Sequence, residues 1–196
     1  TFVLGLFVTV SFALLLVLFR ATYLDVAGVV LCVAAMSISG LFYIIGGQYV
    51  VSKIWNLVPI SGYGDGLDAG RFLILPVVIS VIAGIGSSTR WYRTIFLEEI
   101  NRDYVRTARA KGLTEPAVLF GHVLRNAWLP ILTHVGALLP YMFLGSLVFE
   151  SFFGIPGLGT FTIEAISAQD FAVVHAMVFL GSLLYILAYL ATDIAY

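Results

Sequence analysis

Apolar residues fill five long runs of this chain, and polar residues gather in the gaps between them. The first run, 2–19, is broken only by small or hydroxyl residues and nears the roughly 20 apolar residues that cross a bilayer as helix. A short polar break, 20–25, leads to a second predicted span, 26–51, whose Ser37, Ser39, Gly40, Gly46 and Gly47 permit close helix packing. Residues 53–71 are a turn-rich connection, punctuated by Pro59, Ser61-Gly62, Gly64-Asp65-Gly66 and Gly70. A weaker third span, 72–87, has Pro76 near its start, Gly84 and Gly86 near its end, and then Trp91 and Tyr92, which suit the interfacial belt. The fourth, 127–149, contains Pro140 and is expected to kink there. The fifth covers 171–192.

Between the third and fourth runs the period changes. Arg102, Arg106 and Arg109 fall on one helical face, while Tyr104, Val105 and Ala108 line another. Gly112 suits the left-handed position after a helix end, with Lys111 near the carbonyl end of the dipole. Thr114 is expected to cap a second helix, with Glu115 and Pro116 in its first turn. That helix would carry Val118, Leu119, Val123, Leu124, Ala127 and Trp128 on its apolar side. The segment reads as two short helices hinged at Gly112.

With 61% hydrophobic and 11% charged residues, the chain has more apolar surface than a soluble domain of 196 residues could bury. The fold class expected is an all-α membrane protein with about five transmembrane helices, a single transmembrane domain over 1–196 with a cytoplasmic loop over 102–129. The net charge of −1 conceals an asymmetry, because seven of the ten Lys and Arg lie between Arg90 and Arg125. That bias places the 90–126 connection in the cytoplasm and the 53–71 and 150–170 connections outside, the latter holding no Lys or Arg. Alternation then puts 20–25 inside and Thr1 outside. An odd number of spans with an outside start is what absence of one N-terminal helix would give, so the chain is expected to be part of a longer subunit. Nothing at its start resembles a cleavable signal peptide. The single cysteine, Cys32, permits no internal disulfide.

The run from Asp103 to Gly112, followed by Gly121-His122-Val123-Leu124-Arg125-Asn126-Ala127 and Leu129-Pro130, resembles the cytoplasmic coupling loop of permease subunits of ABC importers, in the dipeptide/oligopeptide/nickel branch. In the wider family this loop reads Glu-Ala-Ala, three residues, Gly, nine residues, then Ile-x-Leu-Pro. Here Gly112 matches the glycine and Ala108 the second alanine, while Arg106 and Thr107 replace the glutamate and first alanine. His122-Val123-Leu124-Arg125 stands in place of Ile-x-Leu-Pro, a departure associated with the peptide branch. A second block, from Phe149 to Gly159 and reading Phe-Glu-Ser-Phe-Phe-Gly-Ile-Pro-Gly-Leu-Gly, is similar to the same branch.

The resemblance implies a six-helix permease in the bacterial plasma (inner) membrane. Its implied partners are ABC ATPase subunits, a second permease subunit and an extracytoplasmic solute-binding protein, beside the lipid bilayer. The implied coupling residues are Asp103, Tyr104, Arg106, Thr107, Ala108, Arg109, Lys111, Gly112, Leu113, Thr114, His122 and Arg125, with Leu113 and Thr114 at the tip and Arg106, Arg109 and Lys111 meeting acidic groups or lipid phosphates. Glu150, Gly154, Pro156, Gly157 and Gly159 would form a structured outer loop near the substrate path. The chain has no Gly-x-x-x-x-Gly-Lys-Ser/Thr phosphate cradle, so ATP hydrolysis is expected in a separate partner.

Blander readings stand beside these. Basic loops flank membrane helices through insertion rules and anionic lipid alone. A helix–glycine–helix unit with arginines also suits DNA, but membrane spans on both sides argue against nucleic acid. The Phe149–Gly159 block could be a simple turn cluster. His122, His134 and His175 would serve a membrane-embedded enzyme, the competing class beside an ATP-independent secondary transporter, yet none has metal-ligand spacing, so neither metal nor cofactor is expected. Gln48 and Asp193 read as boundary residues, and Tyr141, Tyr185 and Tyr189 as packing residues.

Overall fold

The computed structural model describes residues 1–64, 69–144 and 147–195, with the side chains at 69, 140–144 and 195 outside that description. The turn residues Asp65 and Gly66, the kink expected at Pro140 and the packing role expected of Tyr141 therefore fall outside it. The described chain is helical with no strand, and the described parts of the five apolar runs are mostly helix. In order, these are α1 (Phe2–Leu18), α2 (Tyr23–Ser37), α3 (Gly40–Gly47), α4 (Ala69–Glu99), α5 (Asp103–Ala110), α6 (Glu115–Val118), α7 (Leu124–Leu144), α8 (Leu147–Phe153), α9 (Leu158–Ser167) and α10 (Phe171–Ala195). Wider π turns follow α3 at Gln48–Ile54 and precede α7 at Leu119–Val123.

By length and apolarity, Gly70–Glu99 and Phe171–Ile194 can each cross a membrane, and the pair Tyr23–Ser37 with Gly40–Ile54 makes a third if taken as one interrupted span; Phe2–Leu18 is a shorter apolar helix. This is an all-α membrane protein. Two boundaries differ from the expected ones. The 26–51 run is not one continuous helix, because Ile38 adopts extended backbone (φ −91°, ψ 130°) and ends α2. The third helix does not stop at 87 but continues to Glu99, carrying Arg90 and Arg93 on helix rather than loop.

The residues divide into two compact units, 1–40 with 80–131, and 41–79 with 132–196. In the first, Ala13, Leu14, Leu16 and Val17 of α1 are buried, as are Tyr92, Phe96 and Ile100 near the end of α4. Thr9 is buried too, and its hydroxyl is satisfied by donating to the Gly5 carbonyl at 2.8 Å. Helices α2 and α4 approach closely at Gly86, where a Cβ would lie 2.5 Å from the Cys32 carbonyl oxygen. A half-buried ion pair ties the 20–25 break to α4: Arg93 donates to both carboxylate oxygens of Asp25, at 3.0 and 2.9 Å. On another side of this unit, Val3, Phe7 and Leu14 of α1 with Phe120, Leu124 and Trp128 line an apolar groove of about 400 Å³. Trp128, expected among the buried residues, is half exposed there.

In the second unit the core comprises Ile44, Leu75, Ile79 and Phe153, with Tyr43, Val51, Val58, Phe149 and Ile155 against it. Phe149 and Phe153 stack at 6.1 Å between ring centroids. Gln48 is more than a boundary residue, because its amide donates to the carbonyls of Ile60 (3.1 Å) and Phe152 (3.0 Å). Gly62 N–H adds a bond to the Phe153 carbonyl at 2.8 Å. Along α10, Thr192 packs against Gly136, and Tyr185 pairs with Tyr189 at 4.7 Å between centroids.

Candidate coupling site

The cationic segment folds as two helices meeting at a glycine turn. Helix α5 buries Val105 and Ala108 and turns Arg106, Thr107 and Asp103 to the outside, as the 3.6-residue period predicts. It ends at Gly112, whose φ of +81° is the left-handed conformation that only glycine adopts without strain. The turn is closed by backbone bonds from Gly112 N–H to the Arg109 carbonyl (2.9 Å) and from Leu113 N–H to the Ala108 carbonyl (3.4 Å). Thr114 occupies the N-cap position of α6 with extended backbone (φ −68°, ψ 151°), but its side chain makes no capping bond. The second helix is not a separate short element: α6, the π turn and α7 follow one another without a break. Val118, Leu119, Val123 and Ala127 are its buried positions.

Charges within the loop are largely spent on each other. Arg109 grips Glu115 across the turn with two bonds, Nε to Oε1 at 2.7 Å and Nη2 to Oε2 at 3.1 Å. The Arg109 bond, aided by the nearby charge of Arg20, holds the Glu115 carboxyl below its ordinary value of 4.5. Arg106 meets Asp103 at 3.5 Å with both side chains exposed, a contact worth little. Among the described residues, Lys111 and Arg125 have no ion-pair partner and are exposed. Lys111, Leu113 and Thr114 thus form an accessible tip.

The loop is joined to the helices on either side through Tyr104. Its phenol donates to Oε2 of Glu99, the last residue of α4, at 2.7 Å. Asn126, in the first turn of α7, is within hydrogen-bonding reach of the Tyr104 hydroxyl, and its amide donates to the His122 carbonyl at 2.8 Å. Burial, then the bond to Glu99, raises the Tyr104 phenol above its usual range, so it remains a donor near neutrality. Glu99, Asn126, Asp25 and Arg93 were not among the residues the sequence singled out. The available signal was the density of paired acids and bases at the ends of the apolar runs.

Because the folded-state value of Glu115 lies below its unfolded value, the Arg109 clamp stabilises the loop above the ordinary glutamate range and loses that contribution as pH falls through the depressed value. The wild-type advantage over Glu115→Gln in thermal unfolding is expected to persist at neutral pH and to shrink as the pH falls below the ordinary glutamate range. An advantage that grew on acidification would contradict the assignment.

The second expected site is also built. Helices α8 and α9 flank Gly154 to Gly157, so the 150–170 connection is a helical hairpin rather than an irregular loop. Glu150 turns back to the start of α9 and accepts the Thr160 N–H at 3.0 Å. Gly157 and Gly159 lie against that carboxylate, Gly159 buried, while Gly154 takes φ +63° beside Gly62 and Pro156 is exposed. Of the histidines, His122 sits on the π turn, His134 within α7 and exposed His175 near the start of α10. Among the described residues no three His, Cys, Asp or Glu gather as a metal site.

Among the described residues the chain is an all-helical membrane protein with a compact glycine-hinged loop set between two of its apolar helices. The sequence profile of the binding-protein-dependent transport system inner membrane component matches residues 1–196, and the chain belongs to that family. It is 40% identical over 129 residues to an oligopeptide transport system permease protein of Bacillus subtilis (66% of this chain, 41% of that protein). It is 41% identical over 133 residues to a di/tripeptide transport system permease protein of Pseudomonas aeruginosa (68% and 40%). It is 33% identical over 174 residues to a dipeptide transport system permease protein of Escherichia coli K12 (75% and 51%). The chain thus spans about half or less of these relatives' lengths. The resemblance to the peptide branch of importer permeases is borne out.

Proposed function

We propose that this chain is the transmembrane permease subunit of an ATP-binding-cassette importer in a bacterial inner membrane. It would form half of a translocation pathway for peptides or similar small solutes and couple to a separate ATPase through the turn at Gly112. The observation that carries the reading is the arrangement of α5, Gly112 and α6, in which Lys111, Leu113 and Thr114 stand exposed at the tip while Val105, Ala108, Val118 and Leu119 are buried. Such a unit can receive a push at the tip and pass it on as a rigid-body tilt of the helices it is joined to. Asp103, Arg106, Thr107, Arg109, His122 and Arg125 complete the proposed contact region, and Tyr104 and Ala108 its mounting. The concentration of cations between Arg90 and Arg125 supports a cytoplasmic position for this loop, and the Asp25–Arg93 pair supports the same side for 20–25. Residues 53–71 and 150–170 are then extracytoplasmic. The hairpin around Glu150, Gly154, Pro156, Gly157 and Gly159 would face the substrate path or a solute-binding protein. A second permease subunit would supply the other half of the channel, and the relatives' descriptions as peptide transport permeases support the cargo class.

The test is cysteine crosslinking in native membranes, with Leu113→Cys or Thr114→Cys in the full-length subunit and buried Cys32 changed to Ser. An adduct with the neighbouring ATPase whose yield changes on adding ATP is the expected result. A folded subunit that gave no adduct from either position would return the enzyme and ATP-independent transporter readings to consideration.

A further inference from the structure

We infer that Tyr104 is the positioning residue that fixes the angle of the coupling helix on the two neighbouring membrane helices, through a hydroxyl that bonds Glu99 of α4 and lies within reach of Asn126 of α7. This deepens the coupling role proposed above and rests on it. Helix α5 is only 8 residues long, with non-helical residues before it and the Gly112 turn after it, so its own backbone does not set its direction. The buried Val105 and Ala108 hold it by apolar contact, which is non-directional and tolerates sliding. The charged groups of α5 do not supply the missing constraint. Arg106 pairs with Asp103 inside the same helix, and the Arg109–Glu115 clamp, which does reach the helix leaving the loop, has side chains 31% and 48% exposed and is weakened by solvent screening. Arg102 reaches Glu99 only at 3.9 Å, with its side chain 65% exposed.

The Tyr104 bond differs in kind. Its acceptor carboxylate is 18% exposed, the distance is 2.7 Å, and a phenol donating to a carboxylate is both directional and charge-assisted. Glu99 ends α4, and Asn126, within hydrogen-bonding reach of the Tyr104 hydroxyl, lies in the first turn of α7. One side chain therefore touches the end of the helix entering the loop and a later turn of the helix leaving it. A push on the tip that rotated α5 without this bond would be absorbed as sliding on the apolar contacts.

The experiment uses the full-length importer with its ATPase and binding protein in proteoliposomes, and reads substrate moved per ATP hydrolysed. Tyr104→Phe keeps the ring and removes the bond. The transport-to-hydrolysis ratio is expected to fall about tenfold, as loss of a hydrogen bond to a charged group allows, while assembled complex and the Leu113→Cys adduct stay at parental levels. Glu99→Leu should reproduce the defect, Glu99→Gln, which retains an acceptor oxygen, should recover most of the ratio, and Tyr104→Phe with Glu99→Leu should be no worse than either alone. An unchanged ratio in Tyr104→Phe, or additive losses in the double variant, would overturn the inference. Absence of the adduct in the parent would instead remove the coupling role itself, so the two failures are distinguishable.

Discussion

Replacing Arg93 with leucine is expected to destabilise the subunit by about 3 kcal/mol, at the lower end of what breaking a buried pair costs because the arginine keeps some access to water. The side chains of Arg93 and Asp25 are 23% and 10% exposed, and two parallel bonds join them. Removing the guanidinium leaves the Asp25 carboxylate half-enclosed between α2 and α4 with only the long 3.4 Å bond from the Ala21 N–H. The companion variant makes the argument specific. Arg93→Leu with Asp25→Leu removes both charges, and its thermal unfolding in detergent should return most of the way to the parent, since an apolar pair of similar size often replaces an ion pair without loss. If the double variant proved as unstable as the single, the pair would not be the cause.

The second large effect is expected at Gly159. A Cβ there would lie 3.0 Å from the backbone of Leu147 and 2.7 Å from the Glu150 carboxylate. Backbone cannot move aside as a flexible side chain can, so Gly159→Val should cost about 1–3 kcal/mol through overpacking. Displacing Glu150 would forfeit the bond that satisfies the Thr160 N–H, worth about 1 kcal/mol as a helix cap. Gly157→Ala is the milder control. Its predicted Cβ meets only the Glu150 carboxylate, which can swing away, and its backbone (φ −162°, ψ 178°) suits any residue. Limited proteolysis of the 150–160 segment reads both, and a Gly159→Val protein cut no faster than the parent would refute the packing account.

The parts of this fold legible in the sequence are those governed by local rules. The face of α5 follows from the spacing of Val105 and Ala108, and the left-handed turn at Gly112 follows from the one residue type that tolerates it. The apolar runs located the helices because, outside a closed β-barrel, a membrane-spanning backbone satisfies itself only as helix. What the sequence concealed depends on distant partners. Arg90 and Arg93 looked like the end of a span, yet α4 continues past them, and Asp25, far back in the chain, pairs with Arg93. Ile38 is apolar and its β-branching is only a weak preference for extended backbone, so the end of α2 there shows in the structure alone. Gln48 reads as an ordinary boundary residue until Ile60 and Phe152 are brought to its amide. Thr114 has the backbone of a cap but not the bond, since propensity speaks for the position and not for the rotamer.

At the candidate site, the same limit applies. Tyr104 was identified as a loop residue, but its partner Glu99 stands before the helix break and Asn126 beyond the turn. No single periodic pattern joins the three.

The clamp between Arg109 and Glu115 has a consequence for ionic strength. From Glu99 to Glu115 four cations stand against three acids, and three of those cations face acids of the same segment. The stretch from Glu99 to Glu115 is thus nearly neutral as a folded object, with Lys111 left outward at the tip beside exposed Leu113. A surface of that kind casts little field beyond the roughly 8 Å screening distance of physiological salt. A partner docking on the proposed tip would be held mainly by fit and apolar contact, and added salt would loosen that hold only slightly.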